Sequence, residues 1–119
     1  MITVSALPTR NGSNSYADFK QELLKKHKID LIYESEAIVT ALTKYGFDIN
    51  QKFKRDSLKK LRDELYELRG KHIRIFLYFN GNNFFILLHG FIKKSQETPL
   101  PQINKALEEI RKWKSSQKD

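Results

Sequence analysis

Arg69, Arg74, His89, Lys93, Lys94, Gln96 and Thr98 fall within one short part of a 119-residue chain, and together they suit one kind of ligand, a phosphate. Arginine offers planar, bidentate donors, lysine a mobile point charge, and the start of a helix free N–H groups, so the set would hold a phosphodiester and stabilise charge developing on it. Phe76, Tyr78 and Phe91 alternate with these cations along the same stretch, and on an open sheet face they would stack the bases of single-stranded RNA. Each residue also has a plain structural explanation. Arg69 would pair with Glu67 or Glu64, His89 would be a half-buried sheet histidine, Lys93 and Lys94 would blunt a strand end, and the aromatics would form a second core beneath the last helix.

Other chemistries have little to stand on. The chain has no cysteine, which rules out disulfides and thiolate metal sites and fits a reducing cytoplasm. His27, His72 and His89 have no metal-ligand spacing, and there is neither a Gly-rich phosphate loop nor a nucleophile elbow. No metal and no cofactor are therefore expected. No stretch approaches the roughly 20 apolar residues of a membrane helix, and the N-terminus lacks a basic start followed by an apolar run. The chain reads as soluble, unexported and cytoplasmic, with no membrane partner. Asn11-Gly12-Ser13 matches a glycosylation sequon but reads better as a turn.

The charge is unevenly distributed. Of 22 Lys/Arg and 14 Asp/Glu, six of each lie in residues 1–50, so the whole excess of +8 belongs to residues 51–119. That asymmetry points to a polyanion-binding face in the second part, as well as to solubility.

The length and a composition of 39% hydrophobic and 30% charged residues make residues 1–119 one globular domain. Ile2 to Leu7 reads as a short strand ending at Pro8. Tyr16, Phe19, Leu23 and Leu24 mark an amphipathic helix with N-cap candidates at Ser13 to Ser15, and Ile29 to Tyr45 a second helix closed by Gly46. The basic stretch FDINQKFKRDSLKKLRD is expected to be a loop with a helical turn. Leu65 to Arg69 then reads as a strand, and Ile73 to Phe79 and Phe84 to Ile92 as a hairpin around Asn80 to Asn83. With an even loop, Ile73, Ile75 and Leu77 share a face with Phe84, Ile86 and Leu88, and Arg74 shares the other with His89, Phe91 and Lys93; an odd loop breaks this. Thr98 would cap a last helix with Pro99 at its first position, an apolar stripe from Ile103 to Trp113 and a frayed SSQKD tail. The expected fold is α+β, an antiparallel sheet with two N-terminal helices and a C-terminal helix, the helices gathered on one face.

The run ELYELRGKHIRIFLYFNGNNFFILLHGFIKKSQETPLPQINKALEEIRKW, Glu64 to Trp113, closely resembles the phage-derived branch of the HigB toxins in the RelE superfamily. ELR, an arginine-bearing strand ending in YF, LLHGF, KK, Q and TP follow in that family's order. The resemblance implies a RelE-like sheet and the toxin of a type II toxin–antitoxin pair. Such a toxin is a metal-independent endoribonuclease that cuts mRNA on the translating ribosome and is silenced by a HigA-like helix-turn-helix antitoxin. It implies that the 2′-hydroxyl of the RNA attacks the adjacent phosphate. Arg69 and Arg74 would then stabilise charge, Lys93 and His89 transfer protons, and Lys94, Gln96 and Thr98 contact RNA. A non-catalytic RNA- or ribosome-binding module of the same fold is the alternative. Where relatives often read TQKTP followed by a lysine pair, Ser95, Glu97, Leu100 and Pro101 stand here, which implies weaker binding at the last helix. Lys52, Lys54, Arg55, Lys59 and Lys60 would compensate by gripping ribosomal RNA.

Overall fold

The structure, a computed structural model, describes residues 1–9 and 12–117. The turn expected at Asn11 and the fraying expected of Lys118 and Asp119 lie outside the described residues. The elements run β1 (Thr3–Ala6), α1 (Ser15–Lys25), α2 (Ile29–Tyr45), a 3-10 turn (Gly46–Asp48), α3 (Ile49–Lys52), β2 (Leu58–Arg62), β3 (Leu65–Arg69), β4 (Ile73–Phe79), β5 (Phe84–Ile92) and α4 (Leu100–Ser116). The α+β class holds, and the sheet is five-stranded in the order β1-β5-β4-β3-β2. It is antiparallel except at one edge, where β1 runs parallel to β5.

Local chemistry accounts for the helix ends. Asn14, inside the expected capping segment, accepts a 2.7 Å bond from the Ala17 N–H at the start of α1, and Gly46 closes α2 at φ 55, where glycine meets no steric penalty. α4 departs from expectation: Pro99 is its N-cap, Thr98 directs its hydroxyl elsewhere, and the helix continues through Ser115 and Ser116. β2 is the strand that the sequence conceals. Its leucines, Leu58 and Leu61, are three apart with two lysines between them, a poor period-two signal. What holds it extended is Asn50, whose side-chain amide donates to the Leu58 carbonyl at 2.9 Å and accepts from its N–H at 2.8 Å, as a neighbouring strand would.

The helices are not gathered on one face. Leu68, Ile73, Ile75, Leu77, Phe85 and Leu87 pack with residues of α1, α2 and α3, whereas Leu65, Phe76, Tyr78, Ile86 and Leu88 pack with Ala106 and Ile110 of α4. The sheet is thus the middle of three layers, and the described residues form two cores, because both faces of β4 and β5 are apolar.

The hairpin register explains how. Phe79 pairs with Phe85, leaving five residues, Asn80 to Phe84, between the last paired positions of the hairpin, although Phe84 already belongs to β5 through its pairing with Thr3; φ is positive at Gly81, Asn82 and Asn83. This odd loop overturns the expected apolar face: Ile73, Ile75 and Leu77 share theirs with Phe85 and Leu87. A bulge opposite Phe76 then resets the register to Ile75↔Gly90 and Arg74↔Phe91. Leu88 and His89 both sit opposite Phe76 and both reach the α4 side, as a bulge allows. The expected company of Arg74, His89 and Phe91 therefore exists, through the bulge and not through the loop.

Candidate functional site

The rows of side chains on the α4 face follow from this register. Arg69, Arg74 and Phe91 are direct cross-strand partners along one row, nearest the β3–β4 turn. Lys59, Glu67, Phe76 and His89 form the next, and Leu65, Tyr78 and Ile86 the third. Lys60, one residue from Lys59, pairs with Tyr66 and belongs to the opposite face. The two lysines proposed to act together are therefore separated by the sheet.

At the centre of the first two rows lies a group named in the sequence only as an ion-pair partner. Glu67 is 0% exposed. Its Oε1 accepts from Arg69 Nε at 3.1 Å and lies 4.0 Å from Arg74 Nε, and its Oε2 accepts the Thr98 hydroxyl at 2.7 Å. Arg74 is buried, with Nη1 donating to the carbonyls of Gly70 at 2.7 Å and Ile73 at 3.0 Å. Burial and the neighbouring Arg69 push its guanidinium below the ordinary arginine value and Glu67 opposes them; an arginine so shifted still stays charged at neutral pH. Arg69 is 23% exposed at its side chain. Among the described residues no bond reaches either Nη group of Arg69 or Nη2 of Arg74. The turn that carries Arg74's acceptors is gripped from the other layer, where Glu34 of α2 accepts from the N–H groups of His72 and Ile73 at 2.7 and 3.1 Å.

His89 is a sheet histidine engaged within the protein, and it is buried rather than half-buried. Its Nδ1 lies 2.6 Å from Glu109 Oε1 and its Nε2 2.8 Å from the Gln102 amide, and only 8% of the side chain is exposed. Ser15 of α1 donates to the same Glu109 at 3.3 Å, so one carboxylate joins α1, β5 and α4. Glu109 and Gln102 have no signal in the sequence beyond lying two helical turns apart, which sets them on one side of α4. The glycine of LLHGF has a steric reason. A Cβ at Gly90 would stand 2.6 Å from the ring of Phe19, and α1 packs that closely.

Two of the three aromatics proposed to stack bases are core residues. Phe76 is 0% and Tyr78 6% exposed beneath α4, and a ring already covered by a helix has no face left for a base. Phe91 alone is partly exposed; its ring centroid is 5.5 Å from that of Phe76. It lines an open cleft of about 780 Å³ between α1, β5 and the start of α4, together with His89, Lys94, Gln102 and Lys105. Lys93 extends the β5 ladder by donating its N–H to the His72 carbonyl at 2.8 Å. Lys94 and Gln96 are exposed on the segment that follows. Lys52, Lys54 and Arg55 are exposed around the end of α3. Among the described residues no three His, Asp or Glu side chains come together as metal ligands, and no helix is long and apolar enough to cross a membrane.

No curated protein matches the chain. Residues 25–111, from the end of α1 to the last turns of α4 and including every residue of the Glu67 cluster, match the family described as phage derived protein Gp49-like (DUF891). With nearly all of its sheet and the whole arginine row inside that match, the chain belongs to the phage-derived Gp49-like family.

Proposed function

We propose that this protein is a HigB-like toxin of the RelE superfamily. In this reading it is a metal-independent endoribonuclease that cuts mRNA on the translating ribosome and is held in check by a HigA-like helix-turn-helix antitoxin. The observation that carries the reading is the cross-strand pair Arg69 and Arg74. Arg69 presents both Nη groups and Arg74 its Nη2, none of which a protein atom among the described residues uses, beside Phe91, which lines an open cleft. Membership of a phage-derived family and the concentration of the +8 charge in residues 51–119 support it.

In this reaction the 2′-oxygen forms a bond to phosphorus and the bond from phosphorus to the 5′-oxygen breaks. The 2′-hydroxyl proton passes to a base and a proton returns to the leaving 5′-oxygen, while the extra negative charge on the phosphoryl oxygens needs cations. Arg69 and Arg74 supply these. Lys93 and His89 are assigned the proton transfers, and His89 acts when the substrate takes Nε2 from Gln102. Lys94, Gln96 and Thr98 line the approach, with Phe91 as the stacking ring.

A second reading, a non-catalytic RNA- or ribosome-binding module, is favoured by one observation: both nitrogens of His89 are engaged within the protein. Expression of the protein alone in a bacterial host, beside an Arg69→Ala/Lys93→Ala variant, with mapping of mRNA 5′ ends, separates the two. New ends inside translated frames that vanish in the variant establish the nuclease. Growth arrest and ribosome association with unchanged ends would establish the binding module.

A further inference from the structure

The two arginines are direct neighbours on adjacent strands, a position where like charges repel, and one of them is buried. Arg74 is anchored through Nη1 to the turn, but the Arg69 side chain has no bond among the described residues other than the one to Glu67, and without that counter-charge it would hold no fixed orientation. The only carboxylate within 4.0 Å of both among the described residues is that of Glu67, which accepts a hydrogen bond from Arg69 Nε at 3.1 Å and faces Arg74 Nε as a counter-charge at 4.0 Å. Arg74 Nη1 is committed to the turn carbonyls. Three donor groups, both Nη groups of Arg69 and Nη2 of Arg74, remain. The second oxygen of Glu67 is held by Thr98, the residue that ends the segment bearing Lys93, Lys94 and Gln96. The same carboxylate therefore tethers the lysine-bearing segment to the arginine row.

We propose that Glu67 is the positioning residue of this site: it fixes Arg69 by a hydrogen bond at Nε and offsets the charge of the turn-anchored Arg74, so that the free Nη groups of the two form a preorganised fork for the phosphoryl oxygens of RNA. This rests on the nuclease reading above and assigns a residue that touches no substrate. The fork is a bidentate oxyanion clamp of the kind arginine geometry favours. A negative charge behind it also repels the RNA phosphate, so Glu67 weakens binding while it raises turnover.

The opposing signs give the test. Single-turnover cleavage of a ribosome-bound reporter mRNA is measured alongside the affinity for a single-stranded oligonucleotide deoxy-substituted at the cleavage site. Glu67→Gln is expected to bind the oligonucleotide about 3-fold more tightly and to cut about 10-fold more slowly. Glu67→Asp keeps the charge but shortens its reach; it is expected to cut about 10-fold more slowly at unchanged affinity, and it serves if Glu67→Gln does not fold. In an Arg69→Lys background, which lacks the Nε–H that Glu67 holds, Glu67→Gln is expected to slow cutting by less than about 2-fold further. Tighter binding with slower cutting is an outcome that simple unfolding does not produce. Wild-type turnover in Glu67→Gln, or an undiminished loss in the Arg69→Lys background, would overturn the proposal. Wild-type protein that neither cuts nor binds sinks the nuclease reading instead. In that case the Arg69 Nε–H resonance still reports on Glu67: its protection from solvent exchange is lost in Glu67→Gln if Glu67 orients the pair and kept if it does not.

Discussion

At the scale of single residues, the site is decided by which polar groups are already engaged. His89, which the sequence offered either as one of the site's cations or as a sheet histidine, is held between Glu109 and Gln102, whereas Arg69 keeps two donor groups that nothing in the described protein uses. A similar constraint explains the small residue in LLHGF. Gly90 is opposite Ile75 with the ring of Phe19 pressed against the position a Cβ would fill, so Gly90→Ala overpacks a buried contact. Thermal or denaturant unfolding is expected to show a loss of about 1–3 kcal/mol. Phe19→Leu, which takes away part of the ring that clashes, is expected to restore part of it in the double variant. Equal stability of Gly90→Ala and wild type would mean that α1 stands off from β5.

Elements are tied to one another by a few polar side chains, and their removal should act on whole segments. Asn50 substitutes for a missing strand neighbour at Leu58. Asn50→Ala leaves that N–H and carbonyl without their partner, expected to cost about 1–3 kcal/mol, with faster amide exchange confined to β2 and its bonds to β3. Exchange that rises evenly through the sheet would show that Asn50 is not its local anchor. Between α1 and α2, Glu36 accepts from Lys20 at 2.6 Å and from the Tyr16 hydroxyl at 3.2 Å. The hydrogen bond to Lys20 holds the Glu36 carboxyl below its usual 4.5. A depressed carboxylate stabilises the fold above its unfolded value, and that contribution is lost as pH falls from 4.5 through the lowered value. Burial first, then Glu36, raises Tyr16 above its usual 10.0, so the trio also loses stability as pH climbs past that value. Because Glu36 is half exposed, its share is expected to stay within about 1 kcal/mol. Glu36→Gln should flatten the acid limb of a stability–pH curve below pH 4.5, and an unchanged limb would assign acid sensitivity elsewhere.

For the molecule as a whole, the sheet is a partition, and the side of it on which a cation lies decides what it can serve. Lys59 is on the α4 face beside Glu67 and Lys60 on the α2 face, although they are consecutive and both exposed. If RNA lies along the arginine row, Lys59→Ala is expected to lower the salt slope of single-stranded RNA binding by about 0.7, the share of one phosphate, and Lys60→Ala to leave it unchanged. Equal effects would place the RNA around the β2 edge. Much of the architecture was legible in advance. α1, α2 and α4 follow from apolar residues at helical spacing, β3 to β5 from the change to a period of two, and the basic second part from composition, because each is a local or additive property of the chain. β2 was not legible, since its extended form depends on Asn50 reaching across a loop. Nor were the two cores: Phe76 and Tyr78 read equally well as a stacking surface or as a buried layer until α4 was placed over them. The sequence by itself determined which residue types are available, their alternation along β4 and β5, and the arginines on neighbouring strands. Only the tertiary structure decided that a five-residue loop and a compensating bulge bring Arg74, His89 and Phe91 to one face, and that Glu67 stands behind the arginine pair. Side-chain parity resets with each inserted residue, and a buried ion pair exists only where packing has removed the water that would otherwise separate its members.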